Sequence, residues 1–429
     1  MEIKTCKISE LGEVIGGGTP STGIAEYWNG SIPWISPKDL TGYNFVYISR
    51  GESFITQKGL NKSGTKLLPK DTVLFTSRAP IGYIALAANP ICTNQGFKSI
   101  ICNEQKVIPR YFYYYLKANL EYLKQFASGA TFPELSGSSM KKIKVSIFSD
   151  VNYQRRIASI LSAYDNLIEN NTRRIRLLEQ MAENIYREWF VRFRFPGHEN
   201  EQFENSKLGK LPASFKVVTM NDVFEYYIGG GWGNEEESED FPISASVIRG
   251  ADFPNLWHYD TSTCPRRYHK RKNYEARQLQ DGDIILEISG GTAEQPVGRT
   301  VLVTDDLINR FEGGRVICAS FCKLIRLKKC DISPYYYLYW MQYLYDTRII
   351  DRFQLQSTGI INFKFEHFLK KGLLMMPPRD LQDEFDKIII PISKEINKLA
   401  LQNEKLARQR DLLLPRLMSG KLEINVEPN

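Results

Sequence analysis

Basic side chains are concentrated in one short segment, and this is the chain's clearest chemical signal. Arg266-Arg267-Tyr268-His269-Lys270-Arg271-Lys272 places five cationic side chains in seven positions with an aromatic ring among them. Such clusters bind nucleic-acid phosphates, although they also occur in solvated loops. The net charge of +7 permits an anionic partner without requiring one. The candidate phosphate contacts from this segment are Arg266, Arg267, Lys270 and Arg271.

Catalytic patterns are weak by comparison. The chain has no Gly-x-x-x-x-Gly-Lys-Ser/Thr loop for nucleotide phosphates, and Asn89-Pro90-Ile91-Cys92 lacks the second proline and the aromatic residue of an amino-methyltransferase loop. Asp283 and Glu287 suggest a nuclease pair, but Ser289 stands where the lysine is expected. The histidines are scattered without metal-ligand spacing. The sequence therefore predicts a chain without catalytic residues and without a metal site.

The candidate contacts lie in a sequence that consists of two related halves. Glu13-Val14-Ile15-Gly16-Gly17-Gly18 corresponds to Tyr226-Tyr227-Ile228-Gly229-Gly230-Gly231. Further landmarks recur in the same order: Asp71-Thr72-Val73-Leu74 and Asp283-Ile284-Ile285-Leu286, Pro80-Ile81-Gly82 and Pro296-Val297-Gly298, Lys98 and Lys323. The stretches 19–66 and 232–278 have similar length but little common sequence. This pattern predicts one scaffold used twice, with loops that recognise different things.

Each half ends in a long amphipathic segment. Mostly apolar positions recur at alternating four- and three-residue steps from Ile157 to Trp189, and the same phase recurs from Phe385 to Leu417. This heptad spacing predicts two coiled-coil helices. Pro391 predicts a kink or a new helix start within the second segment, because proline lacks the N–H donor and clashes with the preceding turn.

The equivalence of the halves predicts how the helices pair. A pseudo-twofold axis makes them antiparallel, and one register places Asn171 opposite Asn403 and Trp189 opposite Phe385. A buried asparagine pair costs stability but fixes the register, because a slipped pairing would oppose amide and aliphatic groups.

These elements predict an α+β protein with two mixed α/β modules in a pseudo-twofold arrangement, separated by two long antiparallel coiled-coil helices. A chain of 429 residues is too long for one ordinary core. The predicted segments are 1–150 (first module), 151–192 (central helix), 193–378 (linker and second module), 379–423 (distal helix) and 424–429 (tail). Neither a secretory signal nor a membrane-spanning segment is recognisable, which predicts a cytoplasmic location.

Several motifs resemble one known family. The run Leu412-Leu413-Leu414-Pro415-Arg416-Leu417-Met418-Ser419-Gly420-Lys421-Leu422 is similar to the terminal motif of the specificity subunits of type I restriction-modification systems. The further motifs that resemble this family are Ile32-Pro33-Trp34-Ile35, Asn170-Asn171-Thr172-Arg173-Arg174-Ile175, Glu188-Trp189-Phe190-Val191 and Leu208-Gly209-Lys210-Leu211-Pro212. The resemblance covers essentially the whole chain.

The resemblance implies a non-catalytic subunit whose two target recognition domains each read one half of a bipartite DNA site. It implies that the long helices bind modification subunits, two of them, which supply S-adenosylmethionine chemistry. Restriction subunits would add translocation and cleavage, with ATP and magnesium. This chain itself is expected to hold no cofactor. Two departures concern the second half: Phe215 replaces the usual tryptophan, and Thr93-Asn94-Gln95-Gly96-Phe97 has no counterpart in its sequence.

Within this interpretation, additional DNA contacts are expected. Arg78 precedes the repeated Pro80-Ile81-Gly82 turn, where a guanidinium can bind a guanine edge in the major groove. The remaining candidates are phosphate, base or backbone contacts of the two halves: Lys38, Lys98, Thr131, Arg299 and Lys323.

Two other functional classes remain open at this stage. One is an S-adenosylmethionine-dependent DNA methyltransferase or nuclease acting alone, which binding of S-adenosylmethionine by the isolated chain would favour. The other is a coiled-coil adaptor for protein or RNA, which sequence-specific and salt-sensitive binding of duplex DNA by the assembled complex would exclude.

Overall fold

The computed structural model describes residues 2–129, 133–292, 295–357 and 360–424. The chain divides into two compact units: unit 1 comprises Met1–Asn170 and Asn403–Asn429, and unit 2 comprises Asn171–Gln402. Each unit combines helices with strands, so the mixed α/β character is as predicted. No described helix is both long enough and apolar enough to cross a membrane.

Unit 1 contains the following strands and helices: β1 (Ile3–Lys7), α1 (Ile8–Leu11), β2 (Gly12–Gly16), β3 (Trp28–Ile35), β4 (Tyr47–Ile48), β5 (Ser53–Ile55), α2 (Gln57–Asn61), β6 (Val73–Phe75), β7 (Ile84–Ala87), β8 (Cys92–Thr93), β9 (Lys98–Cys102), α3 (Pro109–Ala118), α4 (Leu120–Lys124), α5 (Gly137–Lys142), β10 (Lys144–Phe148) and the beginning of α6 (Val151–Tyr186). Its sheets have the strand orders β2-β9-β6-β7-β4, β5-β3-β8 and β1-β10.

Unit 2 contains the end of α6 and then the following strands and helices: β11 (Phe203–Ser206), β12 (Gly209–Pro212), β13 (Lys216–Thr219), α7 (Met220–Val223), β14 (Phe224–Gly229), β15 (Ile243–Ile248), α8 (Phe253–Leu256), β16 (Arg266–His269), α9 (Arg271–Arg277), β17 (Ile284–Glu287), β18 (Ser289–Gly291), β19 (Thr300–Leu302), α10 (Asp305–Ile308), β20 (Val316–Cys318), β21 (Cys322–Leu327), α11 (Pro334–Asp346), β22 (Gln354–Ser357), β23 (Ile360–Phe363), α12 (Phe365–Lys371), β24 (Leu373–Met376) and the beginning of α13 (Arg379–Met418). Its sheets have the orders β14-β21-β17-β19, β16-β15-β20, β18-β23-β22, β13-β24 and β11-β12.

The strand orders show the duplication directly. The order β2-β9-β6-β7 in unit 1 matches β14-β21-β17-β19 in unit 2, and β5-β3-β8 matches β16-β15-β20. The registers also agree, because Gly16 pairs with Lys98 and Gly229 pairs with Lys323. The predicted equivalence of the two lysines is therefore correct.

The repeated glycines have a steric reason. A Cβ atom on Gly17 would lie 1.9 Å from the carbonyl oxygen of Asn94, and one on Gly230 would lie 2.1 Å from that of Ala319. Only glycine allows the backbones to approach so closely. Gly17 and Gly230 therefore pack against the loops that follow β8 and β20.

The predicted alignment of Asp71 with Asp283 is wrong by one residue. The N–H of Asp71 donates to Ala87 and that of Gly282 donates to Val303, which makes Asp71 equivalent to Gly282. Both residues have a positive φ, 64° and 83°. Asp283 instead takes the buried position of Thr72 and pairs with Arg326 at 2.8 Å.

The two long helices begin at equivalent junctions. The buried side chain of Gln154 accepts from the N–H of Ile108 and donates to Phe148, and Gln382 makes the same bonds with Ser333 and Pro377. One glutamine in each unit therefore ties the start of the long helix to the turn before the aromatic helix, α3 or α11. Helix α6 ends in a π-helical turn, Arg187–Val191. Helix α13 is continuous across Pro391, so the alternative of a new helix start is wrong, while a kink stays a prediction.

Segments of α6 and α13 pack together within each unit. In unit 2, Asn171 donates to Gln402 at 3.1 Å, Arg174 pairs with Glu395 at 2.9 Å, and the rings of Trp189 and Phe385 are 6.0 Å apart. Residues later in α6 contact residues earlier in α13, so these two helix segments of unit 2 are antiparallel. In unit 1, Asp165 pairs with Arg410, and Ile157, Leu161 and Leu417 share one core.

Candidate nucleic-acid interface

Three turns of unit 1 meet at one edge of its sheets, and we call this edge site 1. They are the 3₁₀ turn Pro37–Leu40 after β3, the turn after β6 and the loop between β8 and β9. The N–H of Ser77 donates to Gly96 at 2.7 Å. A Cβ atom on Gly96 would lie 3.2 Å from Cγ of Pro37 and 3.7 Å from Cγ of Arg78. Site 1 thus brings two predicted contacts, Lys38 and Arg78, to the same edge.

The cations of site 1 differ in their availability. Arg78 lies 3.6 Å from the carboxylate of Glu134, and its side chain is 40% exposed. Lys98 lies 3.4 Å from the same carboxylate and also donates to Ser77 and to the carbonyl oxygen of Gln95, and its side chain is only 15% exposed. Arg78 can reach a ligand, whereas Lys98 is mainly occupied in holding the loop and the turn together.

Among the predicted contacts of unit 1 that the structure describes, Lys38 is the most accessible. Its ammonium group pairs with Glu52 at 3.1 Å, and its side chain is 77% exposed. Exposed pairs of this kind are weak, so Lys38 can exchange Glu52 for a phosphate. Thr131 lies outside the described residues, and its predicted contact stays a prediction.

Site 2 is the corresponding edge of unit 2. The N–H of Ile288 donates to Phe321 at 2.9 Å, just as Ser77 donates to Gly96. Arg249 follows β15 as Ser36 follows β3, and each begins a 3₁₀ turn whose aspartate accepts its N–H. Four side chains differ at equivalent backbone positions. Site 1 has Ser36, Thr76, Tyr83 and Gly96, and site 2 has Arg249, Glu287, Arg299 and Phe321.

Site 2 contains a cavity of about 700 Å³. Arg249, Glu287, Arg299 and Gln295 line it together with the aromatic side chains of Trp232 and Phe321. Phe321 is 66% exposed and Trp232 is 39% exposed. A polar floor with exposed aromatic side chains can bind a planar, hydrogen-bonding group.

Arg299 is held more firmly than the sequence suggested. Its Nε and Nη2 atoms donate to Glu287 at 2.8 and 2.6 Å, and Nη2 also donates to Gly250. Glu287 is almost completely buried, and Asp283 is paired with Arg326. Both carboxylates of the suspected nuclease pair are thus neutralised by arginines. Among the described residues, no group of three or more His, Cys, Asp or Glu side chains is arranged to hold a metal ion.

The basic segment that prompted the first prediction lies on β16 and α9, away from the lining of site 2. Arg266 pairs with Glu312, and Arg267 pairs with Glu235 at 3.0 Å. Lys270 lies over the Phe241 ring, and Arg271 is an exposed first residue of α9. Two of the five cationic side chains of this segment are therefore paired with glutamates. Arg267 also stacks on Trp232 at 5.0 Å, which connects the segment to the rim of the cavity.

Lys323 has a different environment from its equivalent Lys98. Its ammonium group lies 4.0 Å from the centre of the Phe365 ring and 5.3 Å from that of Tyr227. Burial lowers the pKa of Lys323. It contacts aromatic rings where Lys98 contacts a carboxylate, so the equivalence of position does not extend to the interactions.

Sequence reasoning missed Arg249, Trp232 and Phe321. We expected Thr93-Asn94-Gln95-Gly96-Phe97 to have no counterpart in the second half. No similar sequence is present there, but Cys318–Cys322 occupies the equivalent position in the fold. An aspartate three positions after Ser36 and after Arg249 was the available signal. It was hidden because the surrounding inserts share almost no other residues.

Comparisons with known proteins identify relatives of this chain. The family model of the type I restriction modification DNA specificity domain matches residues 1–180. The chain is 33% identical over 432 residues to the type I restriction enzyme MjaIX specificity subunit of Methanocaldococcus jannaschii, covering 97% of this chain and 93% of that protein. It is 21% identical over 431 residues to the MjaVIII specificity subunit of the same organism, covering 97% and 92%. A crystal structure of a type I restriction-modification S subunit from M. genitalium has the same fold, with a TM-score of 0.57, 14% identity and coverage of 97% and 96%.

Proposed function

The chain belongs to the family of type I restriction-modification specificity subunits, and from this premise we propose that site 1 and site 2 each read one half of a bipartite DNA sequence. The role of the chain is DNA specificity within a restriction-modification system, and members of the family are non-catalytic subunits. The readings as an independent methyltransferase or nuclease and as a protein or RNA adaptor are not favoured.

One observation supports the proposal that the two units recognise DNA separately. The same three turns recur in both units with the same backbone hydrogen bonds, yet Ser36, Thr76, Tyr83 and Gly96 are replaced by chemically different residues. A common backbone frame that carries different side chains is expected where each copy recognises another base sequence.

We further propose that the long helices form an antiparallel coiled coil between two recognition domains in a pseudo-twofold arrangement, with the boundaries predicted above. The pairs Asn171–Gln402 and Trp189–Phe385 support this register within unit 2. The closely spaced pairing of Asn171 with Asn403 remains part of the proposal. A fixed helical separation would set the spacing of the two half-sites on DNA.

The proposed partners are double-stranded DNA, two modification subunits bound to the long helices, and restriction subunits. S-adenosylmethionine, ATP and magnesium would be bound by those partners, and the complex would act on DNA in the cytoplasm. The phosphate contacts proposed for this chain are Lys38, Thr131, Arg266, Arg267, Lys270, Arg271 and Lys323. Because several of these are partly neutralised, the partners would contribute much of the affinity for the DNA backbone.

The decisive experiment is methylation mapping in cells that express this chain with its modification subunits. Residues 19–66 are exchanged for the corresponding segment of a relative with another target, and residues 232–278 are exchanged in a second variant. We expect the first exchange to change one half of the methylated motif and the second to change the other half. A single continuous motif, or a change of both halves by one exchange, would contradict the proposal.

A further inference from the structure

We propose that site 2 recognises a guanine in the major groove and that Arg249 is the residue that reads it. This inference rests on the proposed function, because it assumes that unit 2 reads a half-site. It adds the base chemistry and the reading residue.

Arg249 is oriented before any ligand binds. Its Nε and Nη2 atoms donate to the carboxylate of Asp252 at 3.0 and 2.8 Å, and Nη2 also donates to the carbonyl oxygen of Thr263 at 2.6 Å. Asp252 is 1% exposed, whereas the side chain of Arg249 is 39% exposed. Within the described part of the chain, Nη1 of Arg249 has no hydrogen-bond partner. One edge of the guanidinium is thus fixed by a buried carboxylate, and the remaining nitrogen is available at the cavity.

A second donor lines the same cavity as Arg249. With its amide oxygen turned toward Arg299, Gln295 accepts from Nη1 of that arginine at 2.6 Å, which leaves the Gln295 amide nitrogen available to donate. Arg299 itself is fixed by Glu287 and Gly250. The cavity therefore offers hydrogen-bond donors from Arg249 and Gln295, both supported by residues behind them.

The charge balance of the cavity distinguishes a base from a phosphate. Arg249 is paired with Asp252 and Arg299 with Glu287, so the four groups together are neutral. A dianionic or monoanionic phosphate gains little in such a site, whereas a neutral group with two acceptors fits it. In the major groove, guanine presents the two acceptors O6 and N7, whereas adenine and cytosine each present an amino donor and thymine presents the single acceptor O4. The donors of site 2 therefore select guanine.

Phe321 and Trp232 complete the site. Both are exposed aromatic side chains at the cavity, and Phe321 stands where unit 1 has Gly96. An exposed phenylalanine next to a base-reading arginine can make apolar contact with a neighbouring base edge, such as a thymine methyl group. Unit 1 has Ser36 and Gly96 at the positions of Arg249 and Phe321, so we expect this guanine recognition only at the second half-site.

The test compares methylated motifs of complexes assembled with wild-type chain and with Arg249→Lys, using the modification subunits and genomic DNA. Lysine keeps a cation next to Asp252 but lacks the planar guanidinium with its fixed N–H donors. We expect the wild-type half-site of unit 2 to contain a guanine, and we expect Arg249→Lys to lose roughly 5- to 150-fold of the discrimination at that position alone. The half-site read by unit 1 and the exposed control Lys207→Gln should be unchanged.

Several results would overturn the inference. The first is that the half-site read by unit 2 contains no guanine on either strand. The second is that the Arg249→Lys complex methylates the same motif as the wild-type complex. If Arg249→Lys prevents assembly, Phe321→Ala decides, because Phe321 is exposed and its removal spares the core. Altered preference in the unit 2 half-site would support the proposal, and an unchanged motif would refute it. If wild-type chain yields no bipartite motif, the proposed function itself has failed.

Discussion

Arg410 of α13 forms an ion pair with Asp165 of α6 in unit 1, although the two residues are 245 positions apart in the chain. Asp165 also accepts a hydrogen bond from the hydroxyl of Tyr114 on α3. The pair lies beside the core that contains Leu161 and Leu417. One carboxylate thus joins both long helices to the aromatic helix α3 of unit 1.

Removing Arg410 alone should destabilise unit 1. In Arg410→Met, the nearly buried Asp165 keeps its charge without its main partner, and breaking a buried pair in this way typically costs about 3–5 kcal/mol. The double variant Asp165→Leu/Arg410→Met should recover most of this loss, because no charge stays buried. Urea unfolding of both variants and of the exposed control Lys405→Met measures the effect. Additive losses in the double variant would show that the two residues are not coupled.

Arg78 and Lys38 should affect DNA binding in different ways. We expect Arg78→Gln to cost about 1–3 kcal/mol and to relax one position of the first half-site. Lys38→Gln should weaken all sequences alike and reduce the salt slope by about one. Binding by the assembled complex is measured on DNA with single base changes at several salt concentrations. Uniform losses for Arg78→Gln would make Arg78 a phosphate contact.

Glu134 should restrain non-specific binding by unit 1. Its carboxylate lies near both Arg78 and Lys98, so Glu134→Gln leaves two cations without that partner. We expect affinity for all DNA sequences to rise by about 0.2–1 kcal/mol at low salt, with a steeper salt dependence. A fall in affinity limited to one base position would instead indicate that Glu134 itself accepts a hydrogen bond from a base.

His258 should make the stability of unit 2 dependent on pH. Its ring nitrogen lies 3.1 Å from the carboxylate of Glu179. This hydrogen bond raises the pKa of His258, with Asp260 acting in the same direction and burial and Arg176 opposing it. A raised pKa means that the stabilisation is complete below the ordinary histidine value and is lost as the pH rises through the folded-state pKa.

We therefore expect His258→Asn to lower the thermal unfolding midpoint at pH 5.5 and to have little effect at pH 9. Glu179→Gln should reproduce this difference, since it removes the partner that favours the protonated ring. An equal loss at both pH values would show that His258 contributes by packing alone. The exposed His367 provides the control, as His367→Asn.

Part of the fold could be predicted because it depends on local patterns. Heptad spacing is a property of neighbouring residues, and it correctly indicated the long helices α6 and α13. The glycine triplets and Lys98 with Lys323 identified the duplication, because tight backbone packing at Gly17 and Gly230 excludes other residues. The heptads did not reveal Gln154 and Gln382, whose bonds reach residues outside the helices.

The sequence by itself determined that the chain is a duplicated scaffold with long amphipathic helices and an excess of basic side chains. Only the tertiary structure decided which of those side chains can meet a ligand. Lys98, Arg266 and Arg299 pair with carboxylates that the fold brings to them, and the partner of Arg299, Glu287, is almost completely buried. Arg249 became recognisable through the backbone position it shares with Ser36, because hydrogen bonds preserve that position after the side chains have diverged.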